Sequence, residues 1–247
     1  FVSLELQRTF PDISVYGVIG NNDSYSRDYR SEPAGAFFRD AKVAWAPLIK
    51  DKSARSAMQK MFPYAGFYSV NLNHEKLKLI ILNSVLFSYK ANGNGVANAA
   101  STQLAWLHDE LESAEQHHQR VLIAMHIPLG VDVYATLKLR LFTLIEFWKP
   151  GYAKTFKAYL GEYQGEIAGI LSGHMHSDWF QILTLDHDNE IAMTGTPAIS
   201  PIFGNNPGFK IYQYSLKSRQ LSDYYTYYYH IDENRKWGLE YEFNRVY

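Results

Sequence analysis

Residues 167–176 read IAGILSGHMH, an apolar run that leads directly into a tight Gly-His-Met-His turn. Two other apolar runs end in the same manner: residues 15–19 lead into GNND at 20–23, and residues 121–124 lead through Met125 into HIP at 126–128. Short apolar runs bounded by Gly or Pro are typical of buried strands. Ligand sites of α/β sheets gather outside the carboxyl ends of such strands. The sequence therefore predicts that Asn21, His126, His174 and His176 converge on one place.

These four side chains are candidate metal ligands. A single histidine at a strand end is more often a hydrogen-bonded structural residue, but three strand ends of this kind in one chain favour a site. In an extended segment, residues i and i+2 point the same way. We therefore expect His174 and His176 to reach one metal ion or two neighbouring ions.

The remaining apolar runs alternate with helical patterns, which predicts an α/β fold. Further strands are predicted at residues 77–82, 180–185, 190–193, 209–214 and 223–229. Helices are predicted at residues 36–62, with an interruption near Pro47, at residues 101–117, with Ser101 or Thr102 as the cap, and at residues 151–160.

The composition excludes several classes of protein. Of 247 residues, 47% are hydrophobic and 20% are charged, which disfavours disorder and coiled coil. No apolar run reaches the roughly 18 residues of a membrane-spanning helix. A net charge of -1 provides no overall field that would attract a nucleic-acid duplex. The chain has no cysteine, which excludes disulfides, cysteine zinc sites and thiol catalysis but does not fix the compartment.

The ordered set of motifs resembles the calcineurin-like metallophosphoesterase family. The Gly-Asn-x-Asp turn at 20–23, the strand-terminal His126 and the Gly-His-x-His turn at 173–176 occur in the family's order. The spacing is most similar to the acid-sphingomyelinase-like branch, which also shows a Gln-x-x-Trp-Leu helix (residues 103–107 here) and an Asn-Pro-Gly-Phe turn (residues 206–209 here). The similarity covers nearly the whole chain.

This resemblance implies a fold, a ligand set and a reaction. The implied fold is one domain over residues 1–247 with two mixed β-sheets packed as a sandwich and flanked by helices, here the C-terminal portion of the family fold. Asn21, His126 and His174 resemble the ligands of one metal ion, and His176 resembles a ligand of the other. Asn22 and Asp23 take the catalytic positions, with Asp23 in a supporting role.

The implied reaction is hydrolysis of a phosphoester or phosphoanhydride by a hydroxide that bridges two divalent ions, which are zinc, iron or manganese. The expected substrate is a phosphate-containing small molecule, polyphosphate or a lipid head group. Export to the periplasm or outside the cell is expected from the resemblance only.

The chain departs from the family in lacking the Asp-x-His and Gly-Asp motifs that should precede Gly20. The four candidate ligands are all neutral, and two dications near each other without an anionic ligand repel strongly. We therefore expect this chain to hold one ion or none. A fragment whose N-terminal motifs lie upstream is the favoured interpretation. The alternatives are a degenerate family member that binds a phosphate-containing ligand without hydrolysing it, and a one-metal hydrolase unrelated to the family.

A second departure is Asn22, which stands where most family members have a histidine that is thought to protonate the leaving group. Asparagine has no titratable proton near pH 7. The substitution predicts a preference for leaving groups of low pKa, unless another side chain or water supplies the proton. A similar Gly-Asn-Asn-Asp motif occurs in the vacuolar endopolyphosphatases, which cut phosphoanhydrides.

Weaker candidates for substrate contact lie close to these motifs. They are Tyr25, Arg27, Arg30, Asn205 and Asn206, each of which is more simply explained as part of a turn or a solvated loop. Residues 136–148 are more apolar than a loop requires and are expected to form a buried helix, with an apolar wall of the substrate cleft as the alternative.

Overall fold

The computed structural model describes residues 2–26, 28–72, 76–138, 142–185, 189–232 and 235–247. Its helices are α1 (Val2–Thr9), α2 (Ala36–Trp45), α3 (Lys52–Ala65), α4 (Val96–Gln116), α5 (Val133–Lys138), α6 (Pro150–Glu162) and α7 (Phe243–Val246). Its strands are β1 (Tyr68–Leu72), β2 (Leu77–Leu82), β3 (Arg120–Met125), β4 (Ile167–Ser172), β5 (Trp179–Thr184), β6 (Glu190–Gly195), β7 (Gly208–Ser215), β8 (Gln220–Tyr229) and β9 (Trp237–Glu242). The predicted α/β class is confirmed.

A six-stranded mixed sheet forms the centre of the fold, in the order β1-β2-β3-β4-β6-β5. The four inner strands, β2, β3, β4 and β6, run parallel to one another. The edge strands β1 and β5 pair antiparallel with β2 and β6, respectively. Every residue of β2 is buried, as expected for a central strand covered on both faces. Lys78 is tolerated in this strand because its ammonium lies 3.0 Å from a carboxylate oxygen of Glu110. The parallel arrangement brings the carboxyl ends of β3 and β4 to one edge, where His126 and the 173–176 turn follow.

A second sheet contains β7, β8 and β9 in that order. The expectation of two sheets is confirmed, although this second sheet is wholly antiparallel rather than mixed. The two sheets approach each other closely at Gly169 of β4, where an added Cβ would lie 2.6 Å from the side chain of Leu221. The hydroxyls of Thr194 in β6 and Tyr212 in β7 add a hydrogen bond of 2.8 Å between the sheets.

The helix predictions are confirmed for α2, α3 and α6 and are corrected for α4. The predicted break near Pro47 is a 3-10 turn at Ala46–Leu48 between α2 and α3. Helix α4 begins at Val96, with Gly95 at its cap position and no side-chain cap. Ser101 and Thr102 therefore lie inside the helix. The apolar stripe starts earlier than expected, because Val96, Ala99 and Ala100 are already buried against the core.

Residues 15–19 do not form the predicted strand. Their backbone makes isolated hydrogen bonds instead of a ladder: Val15 N–H donates to the carbonyl of Leu48 at 3.0 Å, and the Tyr68 hydroxyl donates to the carbonyl of Gly17 at 3.0 Å. An apolar run predicts burial, and Ile19 is indeed 2% exposed. It does not predict a partner strand, because pairing depends on what lies beside the segment.

The prediction of a buried helix at residues 136–148 is wrong for most of the described segment, and the alternative, an apolar wall of the substrate cleft, stays a prediction. Phe147 and Trp148 are buried, whereas Phe142 and Leu144 are 86% and 68% exposed. Of the described residues in this segment, only residues 136–138 are helical, in α5. Residues 139–141, like Arg27, lie outside the described residues. No helix among the described residues has the length and apolar character needed to cross a membrane.

Candidate metal centre

The Gly20–Asp23 turn presents Asn21 at the sheet edge. The Asp23 N–H donates to the Gly20 carbonyl at 3.1 Å, and the Gly20 N–H donates to the Asp23 carboxylate at 2.7 Å. A Cβ at Gly20 would lie 3.3 Å from the ring of His126, so a larger residue here would require that ring to shift by a few tenths of an ångström. Asp23 thus shapes the turn, and burial raises the pKa of its carboxyl group.

The amide of Asn21 has a fixed orientation. Its Nδ2 donates to Asp28 Oδ1 at 2.7 Å, and its backbone carbonyl accepts from the Tyr29 N–H at 2.8 Å. Because the amide nitrogen faces Asp28, the amide oxygen faces the histidines. Asp28 therefore determines which atom Asn21 offers to the site.

Three potential ligand atoms form a compact triangle. His126 Nε2 lies 2.8 Å from Asn21 Oδ1, His174 Nδ1 lies 3.1 Å from the same oxygen, and the two nitrogens are 3.2 Å apart. Ligands about 2.0–2.1 Å from a tetrahedral ion are separated by about 3.3–3.4 Å, so the triangle has nearly the size of one face of a coordination shell. Of the predicted ligands, the structure brings Asn21, His126 and His174 together.

Both histidines of the triangle are suited to bind metal as neutral imidazoles. Burial, followed by the neighbouring His174 and His176, lowers the pKa of His126 to about 4. Burial lowers the pKa of His174 to about 4 as well, with a further contribution from the positive charge of Lys90. A neutral imidazole is the form that coordinates a metal ion. Nitrogen and amide oxygen donors of this kind are compatible with zinc, iron and manganese.

His174 is held on the side away from the triangle. The Tyr29 hydroxyl lies 3.3 Å from His174 Nε2, and the Phe147 ring meets the imidazole edge to face at 5.3 Å between centroids. Metal-binding histidines commonly engage a partner through the second ring nitrogen, which fixes the ring orientation. Tyr29 occupies that place for His174.

His176 lies apart from the triangle. The backbone is in the left-handed region at both His174 (φ 71°) and His176 (φ 56°), so the argument from an extended i, i+2 pair was wrong. In the described part of the chain, the three histidines do not bring three ligand nitrogens within 4.8 Å of one another. The His176 ring packs against Phe203 at 4.8 Å, and its buried Nδ1 has no hydrogen-bond partner among the described residues. An unpaired buried nitrogen is compatible with a ligand to a separate ion.

The weaker candidates have local roles. Asn22 is exposed at the tip of the turn. Tyr25 donates to Asp40 at 2.7 Å, and Arg30 forms an ion pair of 2.8 Å with Glu32. Asn205 Nδ2 donates to the carbonyls of Ser200 and Asn206 at 3.4 and 3.3 Å, and Asn206 Oδ1 accepts from the Ile231 N–H at 3.4 Å.

A separate group on α4 brings His108, Asp109 and Glu112 within 4.8 Å of one another. Neighbouring positions of a helix produce such clusters on solvated faces, and the Tyr163 hydroxyl already lies 3.3 Å from His108 Nε2. This group is remote in sequence from the triangle and is not part of it.

Sequence reasoning missed Asp28, Tyr29 and Phe147. Asp28 and Tyr29 follow the Gly20–Asp23 turn closely, so proximity in the chain was a weak signal for them. The sequence around Phe147 did not indicate a role in the site, because its contact with His174 depends on how the segment after α5 returns to the sheet.

No protein-family model matches the chain. The chain is 29% identical over 252 residues to Sphingomyelinase phosphodiesterase C of Dictyostelium discoideum, covering 94% of this chain and 53% of that protein. It is 27% identical over 256 residues to human Cyclic GMP-AMP phosphodiesterase SMPDL3A (98% and 54%) and 26% identical over 260 residues to the rat protein (100% and 56%). The chain therefore spans about half the length of the curated relatives it matches.

These relatives confirm the resemblance to the acid-sphingomyelinase-like phosphodiesterases. A solved structure described as "Structure of PhoD" aligns over 83% of this chain and 50% of that chain at 10% identity, with a TM-score of 0.39.

Proposed function

We propose that this chain contributes the histidine side of the active site in a metal-dependent hydrolase of phosphoesters or phosphoanhydrides. The observation that carries the proposal is the triangle of Asn21 Oδ1, His126 Nε2 and His174 Nδ1, whose sides are 2.8, 3.1 and 3.2 Å. The names of the relatives, which are phosphodiesterases, support the reaction class.

In this proposal Asn21, His126 and His174 hold one ion and His176 binds a second. When bound, the two ions supply an activated hydroxide and neutralise the charge that develops on the phosphoryl oxygens. The chain's own residues determine the geometry: Asp28 orients the Asn21 amide, Tyr29 and Phe147 fix the ring of His174, and the Asp23 carboxylate holds the turn. The second ion requires carboxylates beyond the neutral donors of this site. We therefore assign the dinuclear centre to the complete gene product.

The nature of the leaving group follows from Asn22. Its amide can hydrogen-bond a phosphoryl oxygen but cannot deliver a proton near pH 7. General acid catalysis is typically worth about 100- to 10,000-fold, and its loss affects poor leaving groups most. We therefore propose substrates with leaving groups of low pKa, such as phosphate in a phosphoanhydride or an aryl alcohol. A lipid head group or another small phosphodiester is the wider substrate class.

The test combines metal content with turnover. The complete gene product is purified, its metals are counted by elemental mass spectrometry, and hydrolysis of bis(p-nitrophenyl) phosphate, an alkyl phosphodiester and polyphosphate is measured. We expect two ions per chain, turnover of the nitrophenyl ester or polyphosphate, and loss of both metal and turnover in His126→Ala. The matched control is His117→Ala, an exposed histidine at the end of α4.

Each alternative gives a different result. A chain that binds inorganic phosphate but turns over none of these substrates supports the degenerate binding protein. Full turnover in His126→Ala contradicts the proposed ligand set. Equal rates on alkyl and nitrophenyl esters contradict the proposed role of Asn22.

A further inference from the structure

The turn that carries His174 and His176 is followed by a carboxylate that is buried against the second sheet. Asp178 comes two residues after His176 and immediately before β5. Its Oδ1 lies 2.6 Å from Lys210 Nζ, and its Oδ2 accepts from the Thr226 hydroxyl at 2.8 Å and from the Tyr241 hydroxyl at 2.6 Å. The Asp178 carboxylate is thus bound by three side chains that lie far from it in sequence.

These three side chains come from three different strands in a single register. Lys210 of β7 pairs with Thr226 of β8, and Thr226 pairs with Tyr241 of β9. They therefore form one row across the second sheet, which we call the anchor row. A row of this kind, with one member per strand directed at the same carboxylate, fixes the position of Asp178 relative to the whole sheet.

The anchor row is buried and contains an ion pair with Asp178. The side chain of Lys210 is 0% exposed, that of Asp178 is 17% exposed, and Thr226 is fully buried. Lys210 Nζ also lies 4.1 Å from the centre of the Tyr224 ring, which adds a cation–π contact. A buried ion pair holds its geometry strictly, because separating the partners leaves an uncompensated charge inside the protein.

The opposite end of the same turn is bound to the central sheet. The Gly173 N–H donates to the His126 carbonyl at 3.0 Å. Between these two attachments, His174 and His176 occupy the left-handed region, which non-glycine residues adopt only where the surrounding structure holds them there. The conformation of the turn therefore depends on both ends.

From this geometry we propose that Asp178 is a positioning residue for His174 and His176, and that the anchor row of Lys210, Thr226 and Tyr241 makes the second sheet part of the metal site's scaffold. The inference rests on the proposed function for its consequence, which is metal retention. Loop geometry itself is independent of that function and can be measured without metal.

Single hydroxyl deletions in the anchor row provide the test, because they leave the Asp178–Lys210 ion pair intact. Tyr241→Phe removes the 2.6 Å hydrogen bond to Asp178 without changing the ring. Thr226→Val removes the 2.8 Å bond with almost the same side-chain shape. Tyr225→Phe is the matched control, since Tyr225 lies on β8 but its hydroxyl contacts Gln213 and Glu242 instead.

Two measurements distinguish a role of the anchor row in positioning the turn from a role in the stability of the fold alone. In metal-free protein, hydrogen–deuterium exchange of residues 173–178 should accelerate in both anchor-row variants, with β7–β9 unchanged. In the complete gene product, the zinc dissociation constant should rise on the order of 10-fold, as is typical when a residue behind a metal ligand is changed. The thermal unfolding temperature should stay in the range of Tyr225→Phe.

The proposal is overturned if the anchor-row variants change the unfolding temperature alone, or change nothing, while exchange in residues 173–178 and zinc affinity match the control. If wild-type protein binds no zinc, the proposed function fails, and loop exchange still decides whether the anchor row positions the turn.

Discussion

The orientation of the Asn21 amide can be tested with a single substitution at Asp28. Asp28 accepts a 2.7 Å hydrogen bond from Asn21 Nδ2 and is itself exposed to solvent. Replacing it (Asp28→Ala) frees the amide to rotate, so that nitrogen instead of oxygen can face the histidines. An amide nitrogen is not a metal ligand at neutral pH, because it has no free lone pair to donate. We therefore expect weaker metal binding with an unchanged fold.

The expected size of this effect follows from the bond that is lost. A hydrogen bond to a charged group contributes about 1.5–3 kcal/mol. Water reaches Asp28, so roughly half of that is a better estimate here. Half of that range, about 0.8–1.5 kcal/mol, corresponds to about 4- to 13-fold in zinc affinity, close to the lower end of the range for residues behind metal ligands. Asp28→Asn keeps an acceptor without the charge, and a neutral bond is roughly half as strong, which predicts about threefold.

The assay is competition between the protein and a chromogenic chelator for zinc, with circular dichroism as the check on folding. Asp12→Ala is the matched control, an exposed aspartate in the turn after α1. The order of affinity should be wild type, then Asp28→Asn, then Asp28→Ala. A folded Asp28→Ala protein that binds zinc as tightly as wild type would refute the assignment of Asn21 Oδ1 as a ligand held by Asp28.

Two further predictions address the core and the leaving group. Leu107→Ala in α4 should lower the free energy of unfolding by about 2–5 kcal/mol in urea titration, since Leu107 is 0% exposed and the truncation leaves a cavity; Leu4→Ala, at a position 67% exposed, should change it little. Asn22→His should raise the hydrolysis rate of an alkyl phosphodiester by up to about 100-fold while changing the nitrophenyl ester far less. An equal change for both esters would mean that position 22 does not protonate the leaving group.

The convergence of His126 and His174 could be predicted because it depends on a general property of parallel sheets. Apolar runs report burial locally, and the Gly- or Pro-marked turns after residues 121–124 and 167–171 report where strands end. Parallel neighbours then place those ends at one edge. Asn21 joins them although residues 15–19 are not a strand of the sheet, so the parallel arrangement does not explain its place.

The features that could not be predicted are those that depend on register and on long-range packing. Tyr29 lies 145 residues from His174 in sequence, and its closeness to the Gly20–Asp23 turn was only a weak signal of this contact. The left-handed backbone at His174 and His176 could not be predicted, because neither position is a glycine that would indicate it. The anchor row required the pairing of Lys210 with Thr226 and of Thr226 with Tyr241, and β9 itself was absent from the predicted strands.

The charge distribution around the site links these observations. The three atoms of the triangle are neutral, and carboxylates lie one contact further out: Asp28 behind Asn21 and Asp178 behind the turn that carries His174 and His176. Lys210 already compensates Asp178, whereas Asp28 has only the amide of Asn21 as its described partner near the site. A cation bound by the triangle would therefore gain more from Asp28 than from Asp178. It follows that Asp28 should affect metal binding through charge as well as orientation, while the hydroxyls of Thr226 and Tyr241 should affect it through geometry alone.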